Sequence, residues 1–325
     1  MKYRKHSQDA GLFDYQARVE EPKRRATALD KLNATVDWEL FRPVLDARMN
    51  YSDQSKGGRP PFDPVFMFKV VVLQKYYGLS EEDTEFQILD RFSFQRFLGL
   101  DVSSAVPDKN TVWTFKERLG SDGVKELFDA FETALFDLGL TASPGKIVDA
   151  TIVETKRTHR KADGEKESLE PGPRWTKKCQ KSYFGFKNHV KVNAASKLIE
   201  TYEATPAHIH DSAKLAALAD AERDGSIHAD SAYCGQEEEL LEKKIEPRFI
   251  RRAYRNRPLT GKDKAHNRIL SRIRARVEHV FGFQANSMRG GRLRTLDWER
   301  GCFQIGMGNL IYNLFRTAQL GARVG

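Results

Sequence analysis

Cysteine is scarce in this chain. Cys179, Cys234 and Cys302 are few, odd in number and far apart along 325 residues. No CxxC pair occurs, so neither a zinc knuckle nor a disulfide framework is supported, and all three read as ordinary thiols. Long apolar runs are missing too. The longest, near residues 65–73, is interrupted by Lys69 and falls far short of the roughly 20 residues that span a bilayer. Residues 1–10 are polar and lack the apolar core of a signal peptide, so an intracellular protein is expected. There is no glycine-rich phosphate loop, no Gly-x-Ser-x-Gly elbow and no internal repeat, which leaves nucleotide hydrolases and serine hydrolases without support.

Charge of one sign predominates. Lys and Arg number 54 against 45 Asp and Glu, a net of +9. A basic balance favours a polyanionic partner, and its distribution is more telling than its sum. Between 248 and 276 the chain carries Arg248, Arg251, Arg252, Arg255, Arg257, Lys262, Lys264, Arg268, Arg272, Arg274 and Arg276 against one acid, Asp263. Such a block repels itself unless a counter-charge is supplied. A solvated surface run is the bland reading. A phosphate-binding surface is preferred, which makes these residues candidate DNA contacts.

The first 140 residues read as helices. Asp63 caps one that has Pro64 in its first turn and ends at Gly78. Ser80 caps the next, with Asp83 and Glu85 near its start. Asn110 or Thr111 opens another that runs through Trp113 and Phe115 and stops at Gly120. Val124, Leu127, Phe128, Phe131, Leu135 and Leu138 then recur at helical spacing up to Gly139. Residues 1–140 are expected to form a helical domain that binds DNA, packs or dimerises.

Residues 141–325 change pattern. The stretch 146–153 is β-branched. Phe186, Val190 and Val192 alternate with Lys187, His189 and Lys191, as in a strand with one buried face. Residues 198–204 suggest a hairpin partner, 211–222 a helix, 227–233 and 247–250 short strands. A long helix is expected over 265–284, with Ile269, Ile273, Val277 and Phe281 on one stripe, and a last helical region over 298–320. The lysine- and proline-rich stretch 155–183 reads as a long loop, either contacting DNA or disordered. The fold class is a mixed α/β sheet flanked by helices, behind an all-helical leader.

Three acids stand out. Asp149 lies inside Ile147-Val148-Asp149-Ala150-Thr151-Ile152-Val153, where a carboxylate is costly to bury unless paired or metal-bound. The alternative is an outward-facing residue on an edge strand. Asp230 ends the second such stretch. Glu278 flanks the apolar stripe of the long helix, where its side chain can lean toward the sheet; the bland reading is an ion pair with Arg274, four residues earlier on the same face, which is compatible with function. Three carboxylates from two strands and a helix suit hard divalent cations, and two such ions serve an in-line displacement at phosphorus. Asp149 is the expected bridging ligand. A rival metal set of His189, His208, His210, Asp211 and His228 has no diagnostic spacing, and Asp211 is read as a helix cap.

Asp149-Ala-Thr-Ile-Val-Glu154, Tyr183-Phe-Gly-Phe-Lys-Asn-His189, His210-Asp211, Ala229-Asp230-Ser-Ala-Tyr-Cys-Gly235 and Arg274-Ala-Arg-Val-Glu278 together resemble the catalytic half of transposases of insertion-sequence family five. The tail Asn309-Leu-Ile-Tyr-Asn-Leu-Phe-Arg316 fits as well. Gly58-Arg-Pro-Pro61 and Pro107-Asp-Lys-Asn-Thr111 are similar to that family's helical leader. The resemblance implies a ribonuclease-H-like catalytic domain, a catalytic and metal-binding triad of Asp149, Asp230 and Glu278, and Mg²⁺ with Mn²⁺ substituting. It also implies DNA partners (element ends and target), a homodimer, no membrane, and a prokaryotic cytoplasm with its nucleoid as the setting. In the Tyr–Arg–Glu–Lys signature of related transposases, Arg274 and Glu278 match. Ser271 and Ala285 stand where Tyr and Lys are expected, and Arg289 or Arg292 are the available substitutes. The expected activity is DNA strand hydrolysis at element ends and transfer of the 3′-hydroxyl to target DNA. Its rivals are a nuclease of the same fold that does not join, and a domesticated DNA-binding protein without catalysis.

Overall fold

The computed structural model describes residues 26–50, 60–101, 103–156, 171–178, 180–255, 258–288 and 290–324. Cys179, Arg257, Arg289 and most of the expected loop at 155–183 lie outside the described residues.

Among the described residues, the first helix of the leader is α1 (Ala28–Thr35), opened by a capping box in which Thr27 and Asp30 satisfy each other's backbone N–H. A 3₁₀ turn (Trp38–Phe41) leads into α2 (Arg42–Met49). Next comes α3 (Pro64–Tyr77). The Asp63 side chain accepts from the Phe66 N–H, Pro64 fills the first position, and Gly78 closes the helix in the left-handed region, as the sequence predicts. Apolar residues surround α3 on all sides, so it is buried all round at the centre of the leader. Ser80 caps α4 (Glu81–Asp90), and α5 (Phe92–Leu98) follows.

The last leader helix is α6 (Lys109–Asp137). Its cap is Asp108, two or three residues before the expected start, because the Asp108 carboxylate reaches the Thr111 N–H at 2.7 Å. At Gly120, φ 62° and ψ 177° break the helix, so the expected stop is a bend that only glycine adopts cheaply. Beyond it Val124, Leu127, Phe128, Phe131 and Leu135 are buried, whereas Leu138 is exposed at the terminus.

Among the described residues the sheet has seven strands: β1 (Gly145–Thr155), β2 (Arg174–Lys178), β3 (Lys181–Asn193), β4 (Ile199–Pro206), β5 (Ser226–Ala229), β6 (Glu246–Phe249) and β7 (Arg292–Leu293). Across its main body the order is β4-β3-β1-β5-β6. The first three strands are antiparallel, and β5 and β6 run parallel to β1. This mixed sheet is the ribonuclease-H-like arrangement. β2 pairs antiparallel with the start of β3, so residues 174–178 and 181–183 are strand rather than the expected loop. The lysine-rich, exposed face of β2 hides its period in the sequence. Gly185 lies where a Cβ would drive into the carbonyl oxygen of Val153, which explains a glycine inside a strand here.

Three further expectations are corrected. The helix expected over 211–222 is a 3₁₀ turn (Asp211–Lys214) and the single turn α7 (Leu215–Leu218). The strand expected over 227–233 ends at Ala229, because Asp230 caps a 3₁₀ turn (Ser231–Tyr233). The long helix is α9 (Gly261–Gly282), after the short α8 (Glu237–Glu242). Of the expected stripe, Val277 is buried and Ile273 and Phe281 pack against the core, joined by Leu270 and Val280, whereas Ile269 is 61% exposed. A π-helical turn (Phe283–Ser287) follows, and α10 (Trp298–Leu320) closes the fold over the expected span.

One apolar cluster runs from the leader helices through α10 to the face of the sheet that carries Ile147, Val153, Phe186, Val190 and Val192. α10 threads this core with polar side chains that have exact tasks. Asn313 bonds both the N–H and the C=O of Ile199, satisfying strand β4 from the side. Asn309 exchanges two hydrogen bonds with Asn188. The opposite face packs Val148, Leu215, Leu218, Ile227 and Leu240. There β3 departs from the expected wet face, since Lys187, His189 and Lys191 are all buried. Their partners make this tolerable: Lys187 pairs with Asp211, His189 with Thr205, and Lys191 with Asp224. Lys146 joins the row by pairing with Glu200. Among the described residues, no helix is long and apolar enough to cross a membrane.

Candidate active site

Asp149 sits at the middle of β1, opposite Val190 of β3. On the other edge of β1, β5 pairs only with residues 145–147 and β7 only with 154–155. A gap is left beside Asp149, and α9 packs against β1. Arg274 of α9 directs Nη2 to Asp149 Oδ2 at 2.9 Å, and the Ala150 N–H donates to Asp149 Oδ1 at 2.9 Å. The Asp149 side chain is 14% exposed, so an outward-facing residue on an edge strand is ruled out. Burial raises the Asp149 carboxyl above the ordinary aspartate range. The negative charge of Asp230 adds to the rise, while Arg274 and the Ala150 N–H pull against it.

Asp230 follows directly on β5, the parallel neighbour of β1. Its Oδ1 accepts from the Ala232 N–H at 2.7 Å and so caps the turn that leads to Tyr233. Strand ends of this kind, facing a crevice between parallel strands, are where open sheets place ligands. The charge of Asp230 is thereby brought to bear on Asp149 from the neighbouring strand.

Glu278 is placed differently. It lies on α9 one turn beyond Arg274, on the same flank, and its side chain is exposed. Among the described residues, no three His, Cys, Asp or Glu side chains stand together closely enough to hold a metal ion. Arg274 pairs with Asp149 and not with Glu278.

Asp149 and Asp230 fit a divalent cation by their chemistry. Both offer hard oxygen donors. Asp149 is a buried carboxylate whose ionised form is opposed by burial and by a neighbouring acid, and a cation relieves both effects. In this structure the guanidinium of Arg274 supplies that positive charge.

The basic block divides into three groups. Arg252, Arg255, Lys262, Lys264, Arg268 and Arg272 are exposed, with Tyr254 and Ile269 among them. Arg248 pairs with Glu246, and Arg251 with Asp263. Two members turn inward: Arg274 to Asp149, and Arg276 to the carbonyl of Ala194. Arg257 lies outside the described residues.

The histidines do not assemble. His189 is buried in β3, bonded to Thr205, and burial lowers it to about 4. His228 is buried in β5 and likewise lowered to about 4, by burial first and then by Arg248. The helix cap read at Asp211 belongs to His210, whose Nδ1 accepts from the Ser212 N–H, and Asp211 pairs instead with Lys187 at 2.8 Å. Sequence reasoning passed over Tyr233. A tyrosine after a strand looks like ordinary core, and only the fold shows that its hydroxyl lies in the field of Asp149, Asp211, Asp230 and Arg274.

Residues 141–314 match the family described as the transposase DDE domain. Residues 15–118 match a second family described as a transposase domain (DUF772). The chain is also similar to a piggyBac transposase seen by cryo-EM in a synaptic complex with hairpin DNA. The identity is 11% and the TM-score 0.46, covering 89% of this chain and 76% of that one. The first match spans more than half the chain, including both aspartates and Glu278, so this protein belongs to the DDE-domain transposases and is a DNA transposase.

Proposed function

We propose that Asp149, Asp230 and Glu278 are the catalytic, metal-holding acids of this transposase, with Mg²⁺ the natural cation and Mn²⁺ able to replace it. The observation that carries this is the placement of Asp149 and Asp230 by adjacent parallel strands, beside a gap in the sheet edge that none of the described strands fills. When bound, divalent cations supply charge to activate an attacking oxygen and stabilise a leaving one. Asp149 and Asp230 bind them. Arg274, released from Asp149, binds phosphate in its place as a planar fork. The exposed cations Arg252, Arg255, Lys262, Lys264, Arg268 and Arg272, together with Arg248, Arg251 and Arg276, orient the DNA backbone along α9 toward the acids, and Arg257 is assigned to the same role from its place in the basic block of the sequence.

The proposed reaction is hydrolysis of strands at the ends of an insertion sequence of family five, then transfer of the freed 3′-hydroxyl to target DNA. One phosphodiester replaces another, so no energy cofactor is required. Two ends must be cut in concert, which calls for a homodimer. Residues 1–140 are assigned to DNA binding, dimerisation or both, and the cytoplasm with its nucleoid is the proposed setting. The test is an assay with labelled element ends and a target plasmid. The proposal expects joined product that depends on Mg²⁺. Cleavage with no joined product would favour a nuclease of the same fold, and neither product would favour a DNA-binding protein without catalysis.

A further inference from the structure

Tyr233 is 1% exposed, and among the described residues its hydroxyl has no hydrogen-bond partner. Buried hydroxyls without partners are rare in folded proteins, and each asks for an explanation. Packing does not provide one. The ring lies in the apolar cluster with Leu215, Leu240 and Phe249, tilted against Phe249 with ring centres 6.5 Å apart. A phenylalanine would fill that space equally well.

The position of the residue is tightly held. Its N–H donates to the Asp230 carbonyl at 3.2 Å and its own carbonyl accepts from Gln236 N–H at 3.2 Å, so it rides on the turn that the Asp230 side chain caps. Its hydroxyl lies within the field of Asp149, Asp211 and Asp230, with Arg274 opposing them. Burial first, and then the three acids, hold the phenol far above its ordinary range, so it remains a neutral O–H donor. Asp211 pairs with Lys187, but among the described residues its buried Oδ1 makes no hydrogen bond, so it is a third acceptor beside Asp149 and Asp230. Of the three, Asp149 and Asp230 are the ones that need a new donor once a cation takes their present partners' place. The Nε of Arg274 is a second buried donor without a partner at the same spot.

We propose that Tyr233 is a positioning residue of the active site, its hydroxyl donating to a carboxylate oxygen of Asp149 or Asp230 when those acids turn onto a divalent cation. The proposal rests on the reading of Asp149 and Asp230 as ligands. A carboxylate has about four acceptor positions, and those not facing the metal need donors to fix its orientation. Partners of this kind typically change metal affinity 10–100-fold when removed.

The experiment is a titration of the full-length chain with Mn²⁺, followed by the electron paramagnetic resonance of the free ion, for wild type, Tyr233→Phe, Asp149→Asn and Asp230→Asn. Strand cleavage against Mn²⁺ concentration is measured in parallel for wild type and Tyr233→Phe. The expected result is roughly tenfold weaker Mn²⁺ binding by Tyr233→Phe. Its cleavage should recover at high Mn²⁺, and its metal-free unfolding midpoint should be no lower than wild type. Wild-type affinity in Tyr233→Phe, while both Asn variants lose the ion, overturns the inference and leaves the ligands standing. Unchanged binding in the Asn variants overturns the ligand reading and the inference with it. A clearly lowered midpoint in metal-free Tyr233→Phe overturns it by giving the hydroxyl a purely structural role.

Discussion

Arg274 and Asp149, 125 residues apart in sequence, meet at 2.9 Å between α9 and the centre of β1. The pair does two things at once. It offsets a buried carboxylate in the metal-free protein, and it holds α9 against the gap in the sheet edge. Replacing Arg274 by Gln removes the counter-charge and leaves the carboxylate buried. The folded pKa of Asp149 already lies above its ordinary value and would rise further. A raised carboxyl contributes stability that is present at pH below its unfolded value and lost as pH climbs through the folded one. Arg274→Gln is therefore expected to match wild type most closely near pH 4 and to fall behind by about 1–3 kcal/mol at pH 7. Urea denaturation at both pH values checks this.

The two lowered histidines work in the opposite direction. His189 and His228, each at about 4, stay neutral in the fold while the unfolded chain takes up protons below about 6.5. Their contribution is intact above that pH and drains away as pH falls toward 4, at no more than about 1.4 kcal/mol per pH unit for each. A double variant, His189→Gln with His228→Gln, should show a visibly flatter decline over that window. An unchanged slope would mean that other groups govern acid unfolding.

Lys146 and Glu200 are both almost fully buried, at 0% and 1% exposure. Asn193 also donates to Glu200, and Lys191 stands 3.8 Å from its second oxygen. Removing one charge strands the other, so Lys146→Met alone is expected to cost about 3–5 kcal/mol. Replacing both, as Lys146→Met with Glu200→Leu, should cost clearly less than the sum of the single changes. A double-mutant cycle in chemical denaturation reads the difference.

Asn313 is the one side chain of α10 that bonds both backbone groups of Ile199. Asn313→Leu keeps the volume and leaves a buried N–H and C=O of β4 unsatisfied. A loss of about 2–4 kcal/mol is expected, together with faster hydrogen exchange at the Ile199 amide. A neutral substitution would show that β4 relaxes onto another partner.

Much of this architecture was readable before any coordinates. The Asp63-Pro64 start and Gly78 stop of α3 are local chemistry, as are the limits of α10. An acid inside Ile147–Val153 has no packing purpose, which is why Asp149 stands out from sequence alone. Other features depend on partners that arrive from elsewhere. Lys187, His189 and Lys191 alternate with apolar residues like a wet face, and only Asp211, Thr205 and Asp224, folded against them, make their burial affordable. Glu278 flanks the apolar stripe of α9, as its spacing indicates, and its side chain is exposed. Periodicity puts a residue on a flank but does not say whether that flank faces the sheet or water, which the packing of α9 against β1 decides.

The most direct measurement is cleavage of a labelled element end in Mg²⁺ by wild type, Asp149→Asn, Asp230→Asn and Glu278→Gln, with DNA binding measured for each in the absence of metal. The account predicts that all three variants bind the DNA as tightly as wild type and cut it at least a hundredfold more slowly, on the order of the 10²-fold or greater losses seen when transition-state charge stabilisation is removed. Wild-type cutting by any one of them would contradict its place in the site, and wild-type cutting by Asp149→Asn would contradict the account as a whole.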